Sequence, residues 1–269
     1  MNNLIALTYR EKKKHYGLLF VVILWIITIA GGIVYAQEAG YIKNIKEIAP
    51  GLLEGYLAHE VLPNSLKLLP PPPAENSAAF ALDEAVSQQN LALRGTPRWE
   101  QAIKDANLMF PEAIESFASI VGISITEEKI PYLYMLLRRT LTDIGLSPYA
   151  AKTHYNRSRP FMKNNQPVCT PADEEALRKD GSYPSGHTAI GWGWALLLCE
   201  LFPEKTDALL KRGWEFGQSR IVCNAHWQSD VNQGRIMGAA AVARLHADSE
   251  FLEELAAAKN EIANLRGSK

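Results

Sequence analysis

Residues 181–201 read GSYPSGHTAIGWGWALLLCEL, a break in helical structure followed at once by a long apolar run. Gly181 and Pro184 interrupt any preceding helix, and the run from Ser185 to Leu201 predicts a new one. A helix N-terminus presents unpaired N–H groups and partial positive charge, which suits an anion. Gly186 lets the backbone approach closely, and the Ser185 hydroxyl can donate another hydrogen bond. An ordinary capped helix start is the alternative that these residues alone leave open.

The same helical periodicity continues on both sides of this stretch. Apolar residues three and four apart predict helices over 77–93, 97–108, 111–121, 126–144, 170–179, 185–201, 203–222, 226–246 and 249–265. The last of these is rich in charge, and we expect it to lie exposed. No alternating strand of useful length is present. The pattern predicts an all-α fold, a single-domain helical bundle.

The N-terminus has the composition of a targeting segment. Residues 1–36 have a basic start and an apolar stretch that ends in small residues, which predicts a signal peptide. The uncharged run 18–36 also fits an uncleaved N-terminal anchor, because a spanning helix needs about 17 to 25 residues. Residues 37–75, with four consecutive prolines, are predicted to form an extended N-terminal segment, and 76–269 the helical domain. Either reading places the body of the protein in the periplasm or outside the cell.

Size and charge narrow the class of protein. The chain has 269 residues, of which 47% are hydrophobic and 21% charged, and this composition suits one or two globular domains with a substantial core. Its formal net charge is −1. Nucleic-acid-binding proteins usually concentrate basic residues on one face, so we expect no nucleic acid partner.

The three cysteines allow one disulfide. In an exported protein Cys169 and Cys223 could pair, and three reduced thiols are the alternative. Cys199 lies in an apolar run and is predicted to be a buried thiol. No cysteine has the spacing of a zinc site.

Three basic side chains could neutralise a tetrahedral oxyanion. Lys152 and Arg159 are seven residues apart, so they could project from one helix face, or from a helix end and the loop beyond it. A solvated basic patch with Arg157 is the other interpretation. Arg220 is the third cation, and the two guanidinium groups can each bind an oxyanion with paired hydrogen bonds.

A histidine and an aspartate follow Arg220. His226 and Asp230 are four residues apart, so on a helix the carboxylate could hold one ring nitrogen while the other faces a pocket. A surface pair is the alternative, and so is a divalent-metal site, although the nearby cations argue against a metal. His187 supplies a second imidazole. We treat the remaining histidines and tryptophans singled out here as packing or surface groups: His154, His246, Trp192, Trp194, Trp214 and Trp227.

Three motifs in order carry a family resemblance. Lys-x6-Arg-Pro at 152–160, Pro-Ser-Gly-His at 184–187 and Ser-Arg-x5-His-x3-Asp at 219–230 resemble the signature of one superfamily. It contains the type 2 phosphatidic acid phosphatases, the vanadium-dependent haloperoxidases and the bacterial non-specific acid phosphatases. The run 181–188, with the prolines upstream, looks most like the class A secreted acid phosphatases. The resemblance covers roughly 65–246.

The resemblance implies a role for each motif residue. His226 is the nucleophile that forms a phosphohistidine, Asp230 orients it, and His187 protonates the leaving group and then activates water. The residues implied to bind phosphate are Lys152, Arg159, Ser185, Gly186 and Arg220. No metal or cofactor is implied, and vanadate would bind as a phosphate mimic. His226 must be neutral while His187 carries a proton, so we expect a bell-shaped pH profile.

The expected function is hydrolysis of small-molecule phosphate monoesters with broad specificity, with phosphotransfer as a side activity. The resemblance also implies a homo-oligomer, most simply a dimer. A vanadium-dependent haloperoxidase and a phosphate-binding module without turnover are the alternatives. A multi-pass lipid phosphatase is rejected because the longest uncharged run beyond the N-terminus, 181–198, begins with the predicted anion-binding turn. We therefore expect no membrane contact beyond an N-terminal anchor.

Overall fold

The computed structural model describes residues 45–267, so the predicted signal peptide or anchor, 1–36, lies outside the described residues. The chain divides into two compact units, Met1–Lys46 and Glu47–Lys269. The second unit carries every motif, and its described part is helical apart from a small antiparallel sheet of two strands. The all-α expectation is confirmed.

The sheet and the helices follow in chain order. The strands are β1 Glu47–Ala49 and β2 Leu52–Leu53. The α-helices of the described residues are α1 Ser65–Leu68, α2 Ala78–Asn90, α3 Pro97–Ala106, α4 Glu115–Val121, α5 Pro131–Leu146, α6 Tyr149–Tyr155, α7 Pro160–Asn164, α8 Glu174–Arg178, α9 Gly186–Leu201, α10 Thr206–Val222, α11 Gln228–Leu245 and α12 Ser249–Gly267. Short 3-10 turns occupy His59–Val61, Leu91–Leu93, Glu112–Ile114, Pro171–Asp173 and Pro203–Lys205.

Several helices begin later than the sequence pattern predicts. The helix predicted from residue 126 begins at Pro131, because Ile130 before it has a non-helical backbone and proline suits the first turn. The helix predicted from residue 226 begins at Gln228, because the Asp230 carboxylate accepts a hydrogen bond from the Trp227 N–H at 2.8 Å. Apolar periodicity alone does not show where such caps lie.

Helix α9 is the centre of the bundle and packs against α5, α10 and α11. Two glycines of α11 allow its closest contacts. A Cβ atom at Gly234 would lie 2.5 Å from the carbonyl oxygen of Ser185, and one at Gly238 would lie 2.4 Å from that of Ala189. Only glycine fits at such distances. The first turns of α9 and α11 are therefore held side by side.

Helix α12 is not the exposed element that its charge suggests. Its residues Phe251, Leu255, Ala258 and Ile262 are buried, and the helix packs against α5. These positions recur at helical spacing, so one apolar stripe faces the bundle together with the buried Glu254, while most of the charged residues lie on the rest of the helix.

The predicted extended segment, 37–75, is only partly described. Its described portion contains the hairpin, which the sequence pattern did not predict, as well as a 3-10 turn and α1. Asp143 of α5 fixes the chain after the hairpin by accepting hydrogen bonds from Tyr56 N at 2.9 Å and Leu57 N at 3.0 Å. Further along, the Tyr183 hydroxyl donates to the carbonyl of Pro70 at 2.6 Å, which holds the proline run beside the anion-binding turn.

Cys169 and Cys223 form a disulfide, the first of the two alternatives for the cysteines. Their Cα atoms are 4.7 Å apart, and the Cys169 N–H donates to the Cys223 carbonyl at 3.1 Å. Cys199 is half-buried rather than fully buried as expected. Between residues 45 and 267, no helix combines the length and the apolar character needed to cross a bilayer.

Candidate active site

Three separate segments of the chain meet at the start of α9. The Ser182 N–H donates to the Arg157 carbonyl at 2.9 Å, which joins the turn before α9 to the loop after α6. The Ser185 N–H donates to the Asp230 carbonyl at 3.0 Å, which joins the same turn to α11. The motif residues are therefore neighbours in space, although they span almost eighty positions of the sequence.

His226 is buried and lies beside the guanidinium group of Arg159. Its Nε2 atom is 2.9 Å from Arg159 Nη1. A guanidinium group can only donate, so Nε2 must hold the lone pair and Nδ1 the proton. Nδ1 faces Asp230 Oδ2 at 3.5 Å, a long contact. The imidazole is thus held in the tautomer that leaves Nε2 available as a nucleophile.

The pKa of His226 lies well below its ordinary value. Burial is the largest cause, and the positive charges of Arg159, Lys152 and Arg220 act in the same direction. The carbonyl of Ser182 opposes them more weakly. A neutral imidazole is therefore favoured even at acid pH.

Asp230 is the third residue of α11 and is fully buried. Its Oδ2 accepts the Trp227 N–H as a helix cap, and its Oδ1 accepts from Arg157 Nη1 at 2.6 Å. Burial raises the pKa of Asp230, and Arg157 lowers it. His226 precedes the helix, so the pair is formed by a loop residue and a capping residue rather than by two residues of one helix face.

Arg157 is not part of a solvated basic patch, and that interpretation is wrong. Its side chain is 9% exposed, and it pairs with both Asp230 and, through Nη2 at 2.8 Å, with Asp83. Asp83 also accepts the Ser229 N–H at 2.8 Å. The sequence gives no signal for this network, because Asp83 precedes Arg157 by 74 positions.

Lys152 and Arg159 lie on either side of a loop, the second of the geometries that their spacing allowed. Lys152 belongs to α6, Arg159 directly precedes α7, and between them Asn156 has a left-handed backbone with φ 38°. Lys152 Nζ contacts Asp180 Oδ2 at 2.8 Å and the Gly181 carbonyl at 2.6 Å. Burial, followed by the charge of Arg159, lowers the pKa of Lys152 to about 8.

Arg159 is almost fully occupied by protein acceptors. Its Nε donates to the carbonyls of Leu177 at 2.9 Å and Asp180 at 3.0 Å, and Nη1 also reaches the Ala225 carbonyl at 3.0 Å. Nη2 lies 3.0 Å from Asp180 Oδ2. The Asp180 carboxylate therefore touches both Arg159 and Lys152, a contact that sequence reasoning missed.

Arg220 differs from the other two cations. It is 2% exposed, and its Nε and Nη1 find no acceptor within residues 45–267. Burial, followed by the charge of Arg159, lowers the pKa of Arg220 to about 10. Buried guanidinium donors are normally paired, so these two atoms are available to an anionic ligand.

The turn before α9 contributes a hydroxyl and a second imidazole. Ser185 Oγ accepts from Thr188 N at 3.3 Å and from Thr188 Oγ1 at 2.9 Å, which leaves its own proton free to donate to a ligand. An ideal Cβ at Gly186 would lie 4.0 Å from Lys152 Cε, so this turn is close to the cations. His187 Nε2 is 3.0 Å from the Ala106 carbonyl, which can only accept, so Nε2 carries a proton.

The two imidazoles are close enough to influence each other. Burial, followed by the charge of Arg220, lowers the pKa of His187 well below its ordinary value, and His226 contributes in the same direction. The Ala106 carbonyl opposes the shift. His187 was expected to carry a proton for catalysis, whereas in this structure both imidazoles have lowered pKa values.

Among the residues that the structure describes, no three His, Cys, Asp or Glu side chains are grouped as a metal ion would require. The charged groups around His226 are the Asp230 carboxylate and three cations, Arg159, Lys152 and Arg220, and the cations suit an anion.

Comparison with known proteins identifies the family of this chain. Residues 129–252 match the model of the PAP2 superfamily, a match that includes all three motifs. The chain is 46% identical over 212 residues to a non-specific acid phosphatase of Providencia stuartii, which covers 78% of this chain and 86% of the relative. It is 44% identical over 200 residues to a non-specific acid phosphatase of Salmonella typhimurium, and the alignment covers 74% of this chain and 80% of the relative. An acid phosphatase of Zymomonas mobilis is 42% identical over 207 residues, covering 76% and 77%.

The helical fold and the match over residues 129–252 show a PAP2 superfamily domain in this chain. Within that superfamily, the chain belongs to the bacterial non-specific acid phosphatases. The family expected from the motifs is confirmed.

Proposed function

We propose that this protein hydrolyses phosphate monoesters of broad specificity through a phosphohistidine on His226, without a metal ion. The observation that supports the proposal most directly is the tautomer of His226 and the groups that its two ring nitrogens face. Its Nε2 lone pair is directed at a cluster of buried cations, and its Nδ1 proton faces a buried carboxylate. The names of the relatives support the substrate class.

The phosphoryl group would bind among the cations. The unpartnered donors of Arg220 supply hydrogen bonds that no group in the described residues uses. Lys152, Arg159, the Ser185 hydroxyl and the first N–H groups of α9 complete the set. For phosphoryl transfer, such fixed positive charge contributes most of the catalysis, because negative charge is spread over the equatorial oxygens.

In the first step, the His226 Nε2 lone pair attacks phosphorus and the bond from phosphorus to the ester oxygen breaks. Arg159 Nη1, which now donates to Nε2, transfers its hydrogen bond to a phosphoryl oxygen. His187 gives a proton to the departing alkoxide. Because Nε2 of His187 is bonded to the Ala106 carbonyl, Nδ1 is the ring nitrogen that faces the leaving group.

In the second step, neutral His187 takes a proton from water as the water oxygen attacks phosphorus. The bond between phosphorus and His226 Nε2 breaks, and inorganic phosphate leaves. Both imidazoles return to their starting state, so the cycle is balanced in atoms and protons. An alcohol in place of water gives the expected phosphotransferase side reaction.

His187 must gain a proton before the first step. Its pKa is lowered by burial and by Arg220, and a bound phosphate offsets the positive charge of Arg220. Substrate binding therefore raises the pKa of His187 and prepares it as the acid.

We also propose that the protein is exported to the periplasm or beyond. The Cys169–Cys223 disulfide supports this location, because disulfides persist in oxidising compartments. The homo-oligomer stays a prediction from the family resemblance.

The test is hydrolysis of p-nitrophenyl phosphate by purified variants, each measured with and without a chelator. His226→Ala and His187→Ala should each lose at least about a hundredfold in kcat. His59→Ala, which removes an exposed histidine, is the matched control and should keep its activity. Chelator should change nothing. Full activity in His226→Ala would contradict the assignment of the nucleophile, and loss restored by a divalent ion would contradict the metal-free mechanism.

A further inference from the structure

The carboxylate of Asp180 bridges two of the cations assigned to phosphate. One oxygen, Oδ2, lies 2.8 Å from Lys152 Nζ and 3.0 Å from Arg159 Nη2. The two cations are almost fully buried, with side chains 4% and 1% exposed, whereas the Asp180 side chain is 36% exposed. The bridge therefore joins a partly solvated carboxylate to a buried pair of positive charges.

Most N–H donors of Lys152 and Arg159 already have protein acceptors. Lys152 has three N–H donors, and two are used by Asp180 and the Gly181 carbonyl. Arg159 has five, and four are used by carbonyls, by His226 Nε2 and by Asp180. Within the described residues, each cation keeps one N–H that these partners do not take.

A phosphoryl oxygen and a carboxylate oxygen can accept the same hydrogen bonds from Lys152 and Arg159. Each offers negative charge and lone pairs to N–H donors at hydrogen-bond distance. A phosphate that takes two hydrogen bonds from Lys152 must displace either the buried Gly181 carbonyl or Asp180. The Asp180 side chain is the partly exposed one of the two, so it is the partner that can move away, and the same carboxylate oxygen also contacts Arg159.

We propose that Asp180 is an internal competitor of the phosphoryl group, which exchanges with substrate and product at Lys152 and Arg159. The inference rests on the proposed function, because it assigns a role within the same site. Asp180 compensates the two buried charges between turnovers and weakens the hold of the pocket on inorganic phosphate. Weak binding of inorganic phosphate favours turnover because the product then leaves readily. Contacts that stabilise the bound phosphate and the transition state equally do not lower the barrier of the reaction.

The experiment compares two variants that remove the same charge. Asp180→Asn keeps the shape and the carbonyl oxygen of the side chain. Glu175→Gln is the matched control, since it changes a carboxylate on α8 whose pair with Lys179 is exposed, at 84% and 74%. The Kd of inorganic phosphate is measured by calorimetry, and kcat and KM by hydrolysis of p-nitrophenyl phosphate.

In Asp180→Asn, phosphate should bind about tenfold more tightly or better, with KM lowered and product inhibition increased. Glu175→Gln should stay within about twofold of the wild type, because solvent and salt screen an exposed charge. Unchanged or weaker phosphate binding in Asp180→Asn would overturn the proposal, since it would make Asp180 an anchor that holds the cations in place.

A crystal structure of the wild type with phosphate gives an independent readout. Asp180 Oδ2 should move out of hydrogen-bond distance of Lys152 Nζ or Arg159 Nη2, and a carboxylate that keeps both contacts would overturn the proposal. Calorimetry measures phosphate binding without turnover, so it tests the role of Asp180 alone. Hydrolysis by the wild type tests the proposed function, and it can be observed even if the role of Asp180 is wrong. Tighter phosphate binding by Asp180→Asn, together with a wild type that does not hydrolyse the ester, would uphold the competition at the cations and contradict the proposed function.

Discussion

Arg157 Nη1 lies 2.6 Å from Asp230 Oδ1, in the interior of the protein. The same guanidinium group reaches Asp83 on α2, so one buried cation compensates two buried carboxylates. Asp230 in turn faces the proton of His226. The orientation of the nucleophile therefore depends on a residue that need not touch the substrate.

Replacement of Arg157 by Met should lower kcat about a hundredfold and destabilise the fold by about 3–5 kcal/mol, because it leaves buried carboxylates unpaired. Arg157 lowers the pKa of Asp230, so its loss raises that pKa further. Protonated Asp230 no longer supports His226, and the acidic limb of the kcat/KM profile should move to higher pH. The profile is the decisive measurement, since a purely structural role would lower activity without moving the limb.

Arg157→Lys is the companion variant. It keeps the charge but cannot reach both carboxylates with a rigid fork, so we expect an intermediate loss and a smaller shift of the limb. A kcat/KM profile identical to that of Arg157→Met would contradict the electrostatic part of this account.

Anion binding should be accompanied by proton uptake at His187. Sulfate is a suitable probe, because it stays a dianion over the whole range and only the protein titrates. Its charge offsets that of Arg220 and raises the pKa of His187, which lies well below the ordinary value in this structure. Calorimetry near pH 6 in buffers of different ionisation enthalpy should show uptake of up to about one proton. His187→Asn should lose that uptake, and equal uptake by both proteins would contradict the prediction.

The affinity for sulfate should fall as pH rises through the pKa of Lys152. Burial and Arg159 lower this pKa to about 8, so Lys152 is charged below pH 8 and progressively neutral above it. Affinity should decrease by at most about tenfold per pH unit in that range. Lys152→Arg keeps its charge and should show a flatter curve, and parallel curves for the two proteins would exclude titration of Lys152 as the cause.

Two arginine substitutions should have opposite effects on stability. Arg220→Met removes a buried charge whose Nε and Nη1 have no acceptor in the described residues, so the Tm should rise, by the equivalent of about 1–3 kcal/mol. Arg159→Met leaves the Leu177 and Ala225 carbonyls without their donor and should lower the Tm. Both should lose at least about a hundredfold in hydrolysis. A lowered Tm in Arg220→Met would show that the guanidinium group has a structural partner.

The sequence predicts the helical class and the family because both depend on local patterns. Helical periodicity marks most of the helices, and three short motifs identify the superfamily. Helix starts are missed where a side chain caps the backbone, as Asp230 does for Trp227. The burial of α12 is missed because its charged residues obscure an apolar stripe.

The partners within the site depend on contacts that no local pattern records. A solvated patch with Arg157 was one of the interpretations that the sequence allowed, whereas its side chain is buried between Asp230 and Asp83, and Asp83 lies 74 positions away. Asp180 belongs to the turn that precedes the Pro-Ser-Gly-His motif, but only the fold brings its carboxylate to Lys152 and Arg159. Motif spacing thus indicates which residues are candidates, and the fold decides which groups balance their charge.

The central claim is that Nε2 of His226 becomes bonded to phosphorus. It is tested by rapid quenching of the enzyme with a labelled phosphate monoester, followed by peptide mapping under basic conditions that preserve phosphohistidine. Label is expected on the peptide that contains His226, attached at Nε2, stable to base and lost in acid. Label on another residue, or steady hydrolysis with no labelled enzyme at any quench time, would contradict it.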